Sequence, residues 1–339
     1  MTTTTTPTTN ETAATSSSVR RWIHRHGWTA GVWITLVVLV VWYSTLIPKF
    51  GWFQVANIVN GGTSWVFLAA AQAVVVIAGG IDLGVGGMLV LTSAAGAQFM
   101  DGQPIAIVIL IAIGIALGAA VLNGIVGWII TVSRVPDIVV TLGSLFIFQG
   151  LALMILPKVG GGSNEAFRWL FTGSGNGISS NPWPAIVVIT IPTIIVAWWI
   201  GRTRSGLSLY ALGSEPNAAF LSGVNAKRTK IVSYAVAGAL CAVAGFSSLA
   251  ISGVGNATTN GGNLTLSSVA AIVLGGIALT GGIGSILAAV PAAIILFFFN
   301  PILSALGVNP NYAQVIQGVL IVIVMMVAGL LEWRRRRLK

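Results

Sequence analysis

Long apolar runs alternate with short polar segments along almost the whole chain. Ten runs stand out, at 31–47, 64–78, 85–100, 104–132, 138–156, 184–200, 231–252, 266–279, 285–303 and 312–331. A helix that crosses a bilayer needs about 20 mainly apolar residues. The pattern therefore predicts an all-α polytopic membrane protein with about ten transmembrane helices, some short or broken. The interruptions fall at two glycine-rich stretches, GGIDLGVGG at 79–87 and LTGGIGS at 279–285. The apolar runs beside them are expected to be half-helices or re-entrant segments.

Composition supports this class and narrows it. Hydrophobic residues make up 55% of the 339 and charged residues 7%, against about 25% charged in soluble domains. The net charge of +10 does not point to nucleic acid, because the basic residues flank the apolar runs. With an inside N-terminus, fourteen of the 17 Lys and Arg fall in inside segments, and Lys49, Lys158 and Arg168 fall outside. Cytoplasmic loops carry such an excess, so both termini are expected in the cytoplasm. Three divisions follow. Residues 1–30 form a disordered Thr/Ser-rich tail with a basic pre-membrane patch, 31–332 the membrane domain, and 333–339 a basic cytoplasmic end.

Chemistry is sparse. Cys241 is the one cysteine and sits in an apolar run, which excludes an intrachain disulfide and a cysteine metal site. There is no GxxxxGK followed by Ser or Thr, so no P-loop for ATP. No catalytic triad or paired carboxylates appear. The chain is expected to be no enzyme and to hold no cofactor or metal of its own. Asp82 is the acid set in an apolar context, and an ionisable group at membrane depth is a functional candidate by default. Its favoured role is to cap the next helix, ahead of direct solute contact, with Gly80 and Gly84 letting the backbone leave the helix. Asp137 is likewise expected to cap a helix start. Asn123, Thr141, Gln149, Asn300 and Gln317 are polar groups inside spans. They either line a polar path or hydrogen-bond between helices.

One polar island has helical character, the loop 201–230, with five basic residues and Glu215. Ser214 suits an N-cap, Glu215 and Pro216 a first turn, Ala218 and Ala219 a helix interior, and Gly223 a stop. A helix this short is not stable alone, so a partner is expected to pack on it.

The run ALGSEPNAAFLSGV at 211–224 resembles the coupling loop of ABC importer permeases of the ribose and simple-sugar type. GGIDLGVGG at 79–87 is similar to a signature of the same family. Arg134-Val135-Pro136 with Thr141-Leu142-Gly143 and Gln149-Gly150 resembles a third block, and Gly275-Gly276-Ile277 with 281–285 a fourth. The four occur in the family's order. Departures are Glu215 where members often carry Asn, Phe220 where a polar or basic residue is common, and Gly84 in place of Ser.

The resemblance implies the channel-forming subunit of an ATP-driven importer in the bacterial plasma membrane, carrying a sugar or sugar-like solute. It implies a second permease chain, as homodimer or heterodimer, and an extracytoplasmic solute-binding protein. It also implies a separate ATPase with two nucleotide-binding cassettes, which would hold ATP and Mg. Gly213, Glu215, Asn217, Ala218, Ala219 and Gly223 are then the ATPase-coupling residues. Asp82, Gly80, Gly84, Asn123, Thr141 and Gln149 are candidates for the translocation path or the helix break. Branched amino acids, nucleosides or an autoinducer sugar are alternative solutes. A stand-alone secondary transporter or channel is the alternative of another class.

Overall fold

The computed structural model describes residues 11–175 and 181–337. Among them are thirteen helices and no strand: α1 (Glu11–Leu46), α2 (Trp52–Ile77), α3 (Val85–Met100), α4 (Ile105–Ser133), α5 (Asp137–Ile155), α6 (Glu165–Thr172), α7 (Trp183–Arg202), α8 (Arg204–Ser214), α9 (Pro216–Leu221), α10 (Ala226–Ser252), α11 (Gly261–Leu274), α12 (Ile286–Ala305) and α13 (Pro310–Arg337). Each of the ten apolar runs falls in its own helix. Among the described residues seven helices are long and apolar enough to cross a membrane. Two further apolar helices, Val85–Met100 and Gly261–Leu274, are shorter, and α13 contributes the apolar stretch Asn311–Ile323.

Boundaries differ where polar residues hide a helix. The second run was expected from 64, but α2 begins at Trp52. Gln54 turns back to accept from the backbone N–H of Gly51 at 2.9 Å, and Asn60 donates to the carbonyl of Thr172 at 3.0 Å. The Gln54 oxygen and the Asn60 amide N–H thus find partners, while the Asn60 Oδ1 is buried without one. The expected tail also changes. Residues 1–10 lie outside the described residues, but from Glu11 the backbone is helical and continuous with the first span. Extending an existing helix adds a bond per residue without a new nucleus. At the other end α13 runs to Arg337.

α2 and α3 form the core. From Val66 to Ala78 every α2 residue and the one after it are buried, and α3 is buried on nearly all sides. A helix apolar all round belongs inside. α4 is equally apolar, yet Leu110, Leu117 and Val121 are exposed, as on a lipid-facing helix. α4 and α10 touch backbone to backbone. A Cβ on Gly238 would collide with the Ala119 carbonyl, and one on Gly127 would come within 3.2 Å of the Ile231 Cα. Small residues permit this approach in lipid.

The connections gather at two ends. At one, Gly160 pairs with Gly255 and Asn164 donates to Gln103. α6, absent from the expected elements, lies here. Asn164 caps it by accepting from Ala166 N–H at 2.9 Å, and Phe167 stacks edge-on to Phe246 of α10 at 5.8 Å. At the other end lie the α2–α3 segment, the turn before α5, α8 with α9, and the α11–α12 segment.

Candidate functional site

Two broken helices, the short helix pair α8–α9 and a cavity make up the candidate machinery. α2 stops at Gly79, whose φ of +79° suits a residue without Cβ. The Gly79 N–H donates to Val76 and the Gly80 N–H to Val75, closing a Schellman motif. The chain then runs without helix, bending at Leu83, until α3 begins at Val85.

Asp82 is fully buried in that segment. One carboxylate oxygen accepts from the Gly84 N–H at 2.8 Å, and the other from Asn123 Nδ2 of α4 at 2.9 Å. The first bond stops at Gly84, the N-cap residue of α3, and α3 has no side-chain capping bond to its first turn. Asn123 Nδ2 also donates to the Tyr234 carbonyl of α10 at 3.1 Å. Thr141 of α5 donates to the carbonyls of Asp137 and Ile81 at 2.8 and 3.3 Å. Asp137 opens α5 and pairs with Lys230 of α10 at 2.7 Å. Tyr234 places its hydroxyl 3.2 Å from the Ile81 carbonyl and 3.3 Å from Asp137 Oδ2. A Cβ at Gly84 would collide with Ser144 Oγ, and one at Gly80 would meet Asp137 Oδ2 at 3.0 Å. Thus Asp82, Gly80, Gly84, Asn123 and Thr141 come together in one buried cluster. Gln149 does not join it; it donates to the Thr259 carbonyl at 3.2 Å. Tyr234 and Lys230 were missed, because nothing in their spacing marks them as neighbours of residue 82.

The starts of α3 and α11 also meet. The Gly86 N–H donates to Thr265 Oγ1 at 3.0 Å, and that hydroxyl donates to the Leu83 carbonyl at 3.1 Å. A Cβ on Gly86 would strike the Gly261 carbonyl.

α11 breaks in the same way as α2. Gly276 has φ +79°, and Gly276 and Ile277 donate to Val273 and Ile272. The two breaks are joined directly, the Gly282 N–H donating to the Ile77 carbonyl at 2.9 Å. Gly213, near the end of α8, sits between them. A Cβ there would collide with the Ile77 carbonyl and approach Gly282 N to 2.6 Å. Three of the glycine blocks in the sequence therefore form one backbone junction.

The island between α7 and α10 holds two helices, where one was expected. Thr203 caps α8 by accepting from the Gly206 N–H at 3.1 Å. Ser214 is not the N-cap of the second helix; it is the last residue of α8. Glu215 is extended and takes the N-cap position of α9 without a side-chain capping bond, and Pro216 is the first helical residue. Proline has no N–H to lose there, so it sets the start one residue later. Gly223 ends α9 with φ +80°. Glu215, Asn217 and Ala218 are exposed, whereas Gly213 and Ala219 are buried within this chain. The outward apolar residues are Phe220 and Leu221, 72% and 85% exposed.

A cavity of about 890 Å³ lies between α2, α11, α12 and α13. Its polar groups include Asn263, Ser267, Asn300 and Gln317, beside Trp65, and no charged side chain lines it. Asn300 donates to Gln317 at 3.4 Å across α12 and α13. Among the described residues no cluster of His, Cys, Asp or Glu could hold a metal.

A family model described as the permease component of a branched-chain amino acid transport system matches residues 54–325. This chain belongs to that permease family. The ribose import permease protein RbsC of Escherichia coli (strain K12) is 33% identical to it over 303 residues, 87% of this chain and 91% of the relative. The fructose import permease protein FrcC of Rhizobium meliloti is 30% identical over 280 residues, covering 79% and 75%. The galactose/methyl galactoside import permease protein MglC of Escherichia coli (strain K12) is 30% identical over 311 residues, covering 86% and 91%. No solved structure matches the permease. Membership makes the chain a transport component of an ABC importer rather than an enzyme, and does not favour a stand-alone transporter.

Proposed function

We propose that this permease carries a neutral sugar or sugar-like solute across the bacterial plasma membrane. The observation that carries the reading is the cavity of about 890 Å³, which has amide and hydroxyl groups, a tryptophan and no charge. The lining is largely apolar, with Leu264, Leu266, Ile321 and Val322 among it; amides facing hydrocarbon are costly, so those set into this groove serve a solute or a second permease chain. A zwitterionic amino acid would leave two charges without partners there. A polyhydroxylated solute matches donors, acceptors and an aromatic face.

The chain spans the membrane about ten times, with both termini and α8–α9 in the cytoplasm and the Gly160–Gly255 end outside. The positions of the basic residues support this orientation. An ATPase with two cassettes, holding ATP and Mg, docks on α9. Phe220 and Leu221 are the apolar anchors, with Glu215, Asn217 and Ala218 beside them. An extracytoplasmic binding protein delivers the solute at the outer end. Asp82 and its partners form the helix break, which moves when the cassettes close.

Deleting the chain in its host, with uptake measured for ribose, fructose, galactose and leucine, tests the reading. ATP-dependent uptake of one of the sugars is expected to disappear while leucine uptake persists, and Asn300→Leu is expected to reduce the same sugar's uptake. Loss of leucine uptake alone would sink it.

A further inference from the structure

The cytoplasmic helix pair touches the α2–α3 break by two routes. One is the backbone junction at Gly213. The other runs through side chains and has no assigned role. Lys230 lies five residues into α10, directly after α9, and pairs with Asp137 at 2.7 Å. Tyr234, one turn further along the same face, is fully buried. Its hydroxyl stands between Asp137 Oδ2 and the Ile81 carbonyl, and its own carbonyl accepts from Asn123, the residue that holds Asp82. The path from Lys230 to Asp82 is therefore continuous, with each step at hydrogen-bond distance.

We propose that Lys230, Asp137 and Tyr234 form a strut that transmits the movement of α9 to the α2–α3 break. The inference rests on the permease reading above. Two observations suit a strut. First, α10 packs on α4 backbone to backbone at Gly238 and Gly127, and the Asn123 amide bonds the Tyr234 carbonyl across that contact. A push on the start of α10 therefore carries Asn123 with it. Second, the break has no helical hydrogen bonds of its own between Gly80 and Gly84, so these side chains fix its position. Lys230 and Asp137 are 22% and 17% exposed. Water screens such a pair, which limits its worth for stability alone. Its location, between the moving loop and the break, is what gives it a task. These are positioning residues; none of them lines the cavity.

The test uses the intact complex co-purified with its ATPase and a reporter thiol in the break, Leu83→Cys. Cys241 is fully buried and does not compete for a soluble maleimide. The labelling rate is measured without nucleotide and with ATP, Mg and vanadate. In the otherwise unaltered complex, nucleotide is expected to change the rate about fivefold, a coupling of ordinary size. Lys230→Met and Tyr234→Phe should cut that response to below about twofold while ATP hydrolysis stays within about twofold. Lys230→Arg, which keeps the charge, should retain the full response. The proposal is overturned if Lys230→Met and Tyr234→Phe respond normally, or if response and hydrolysis fall together, as for a purely structural pair. It is also overturned if the reporter ignores nucleotide in the unaltered strut. A complex that never contains an ATPase would be a different result, counting against the permease reading itself.

Discussion

The two helix breaks are built alike and secured differently. Each begins with a Schellman motif around a glycine at φ +79°. After that the first break is closed by side chains: Asp82, Asn123, Thr141 and Tyr234, supplied by the segment itself and by α4, α5 and α10. The second carries no ionisable residue from Gly275 to Ser285. It is held by backbone, with Gly282 donating to Ile77 and Ala278 to Ile283, and by the Tyr210 hydroxyl donating to the Gly284 carbonyl at 2.8 Å. Burial explains the difference. At the first break Gly80, Asp82 and Gly84 are buried, so polar side chains must satisfy the freed backbone groups there. At the second, Leu279, Thr280 and Ile283 are exposed, and fewer side-chain partners are needed. The first break is thus a specified polar site, and the second a close-packed attachment for α8.

The comparison breaks most severely at the residue that touches both. Gly213→Leu puts atoms where the Ile77 carbonyl and Gly282 N now lie. Backbone cannot yield as a side-chain tip would, so the loss is expected to be about 3 kcal/mol or more, enough to prevent assembly. Size-exclusion profiles in detergent check this; a monodisperse, wild-type-like Gly213→Leu protein would mean that the junction is loose.

Next in size is Asp82. Asp82→Leu leaves the Gly84 N–H and one of the two Asn123 amide N–H bonds without acceptors in a buried site, the other still reaching the Tyr234 carbonyl, about 1–3 kcal/mol for each lost acceptor. Asp82→Asn keeps one acceptor oxygen and loses the charge-assisted part of the bonds, so it should be milder. Thermal unfolding in detergent ranks the two, and uptake should follow the same order. Equal stability and uptake for both would remove the polar account of the first break.

Much of this was legible in the chain. The ten apolar runs mark ten helices because the bilayer demands length and apolarity together. The glycines mark the breaks because only they tolerate the turn. Asp82 stood out through its apolar context, and its bond to the Gly84 N–H just before α3 is a local one. The rest was hidden for physical reasons. Residues 79, 213 and 282 meet only in three dimensions, and no spacing announces it. α8 was unread because Gly201 to Ser208 looks like polar loop until Leu209 and Leu212 are seen buried. Ser214 was misplaced by one residue because Pro216 fixes the first helical position. The cavity draws its lining from four helices far apart in sequence, and Asn300 and Gln317 were visible only as polar exceptions.

On α9 the consequences fall on partnership rather than folding. Ala218→Arg, at an exposed site, should leave the permease intact and reduce ATPase co-purification; so should Phe220→Ser with Leu221→Ser. Ala219→Arg differs, because Ala219 is 3% exposed. A guanidinium forced into that contact should damage the α9 packing itself. Co-purification measured beside thermal stability separates these effects. Full retention of the ATPase by Ala218→Arg and by the Phe220/Leu221 pair would leave α9 without a docking role.

The smallest expected effect sharpens the account of the second break. Tyr210→Phe removes one hydroxyl that donates to the Gly284 carbonyl and leaves the ring packed. Tyr210 is only partly buried and the break is partly open, so water can replace the lost donor. The cost is expected near 1 kcal/mol, the ordinary net worth of one hydrogen bond. Tyr234→Phe, at the first break, also removes one hydroxyl, but from a fully buried site where no water substitutes. Its stability loss should therefore be the larger of the two, toward about 2 kcal/mol. Paired thermal unfolding of the two single variants measures the difference directly. Equal losses would show that burial does not distinguish the breaks, and the contrast drawn between side-chain and backbone closure would fail with it.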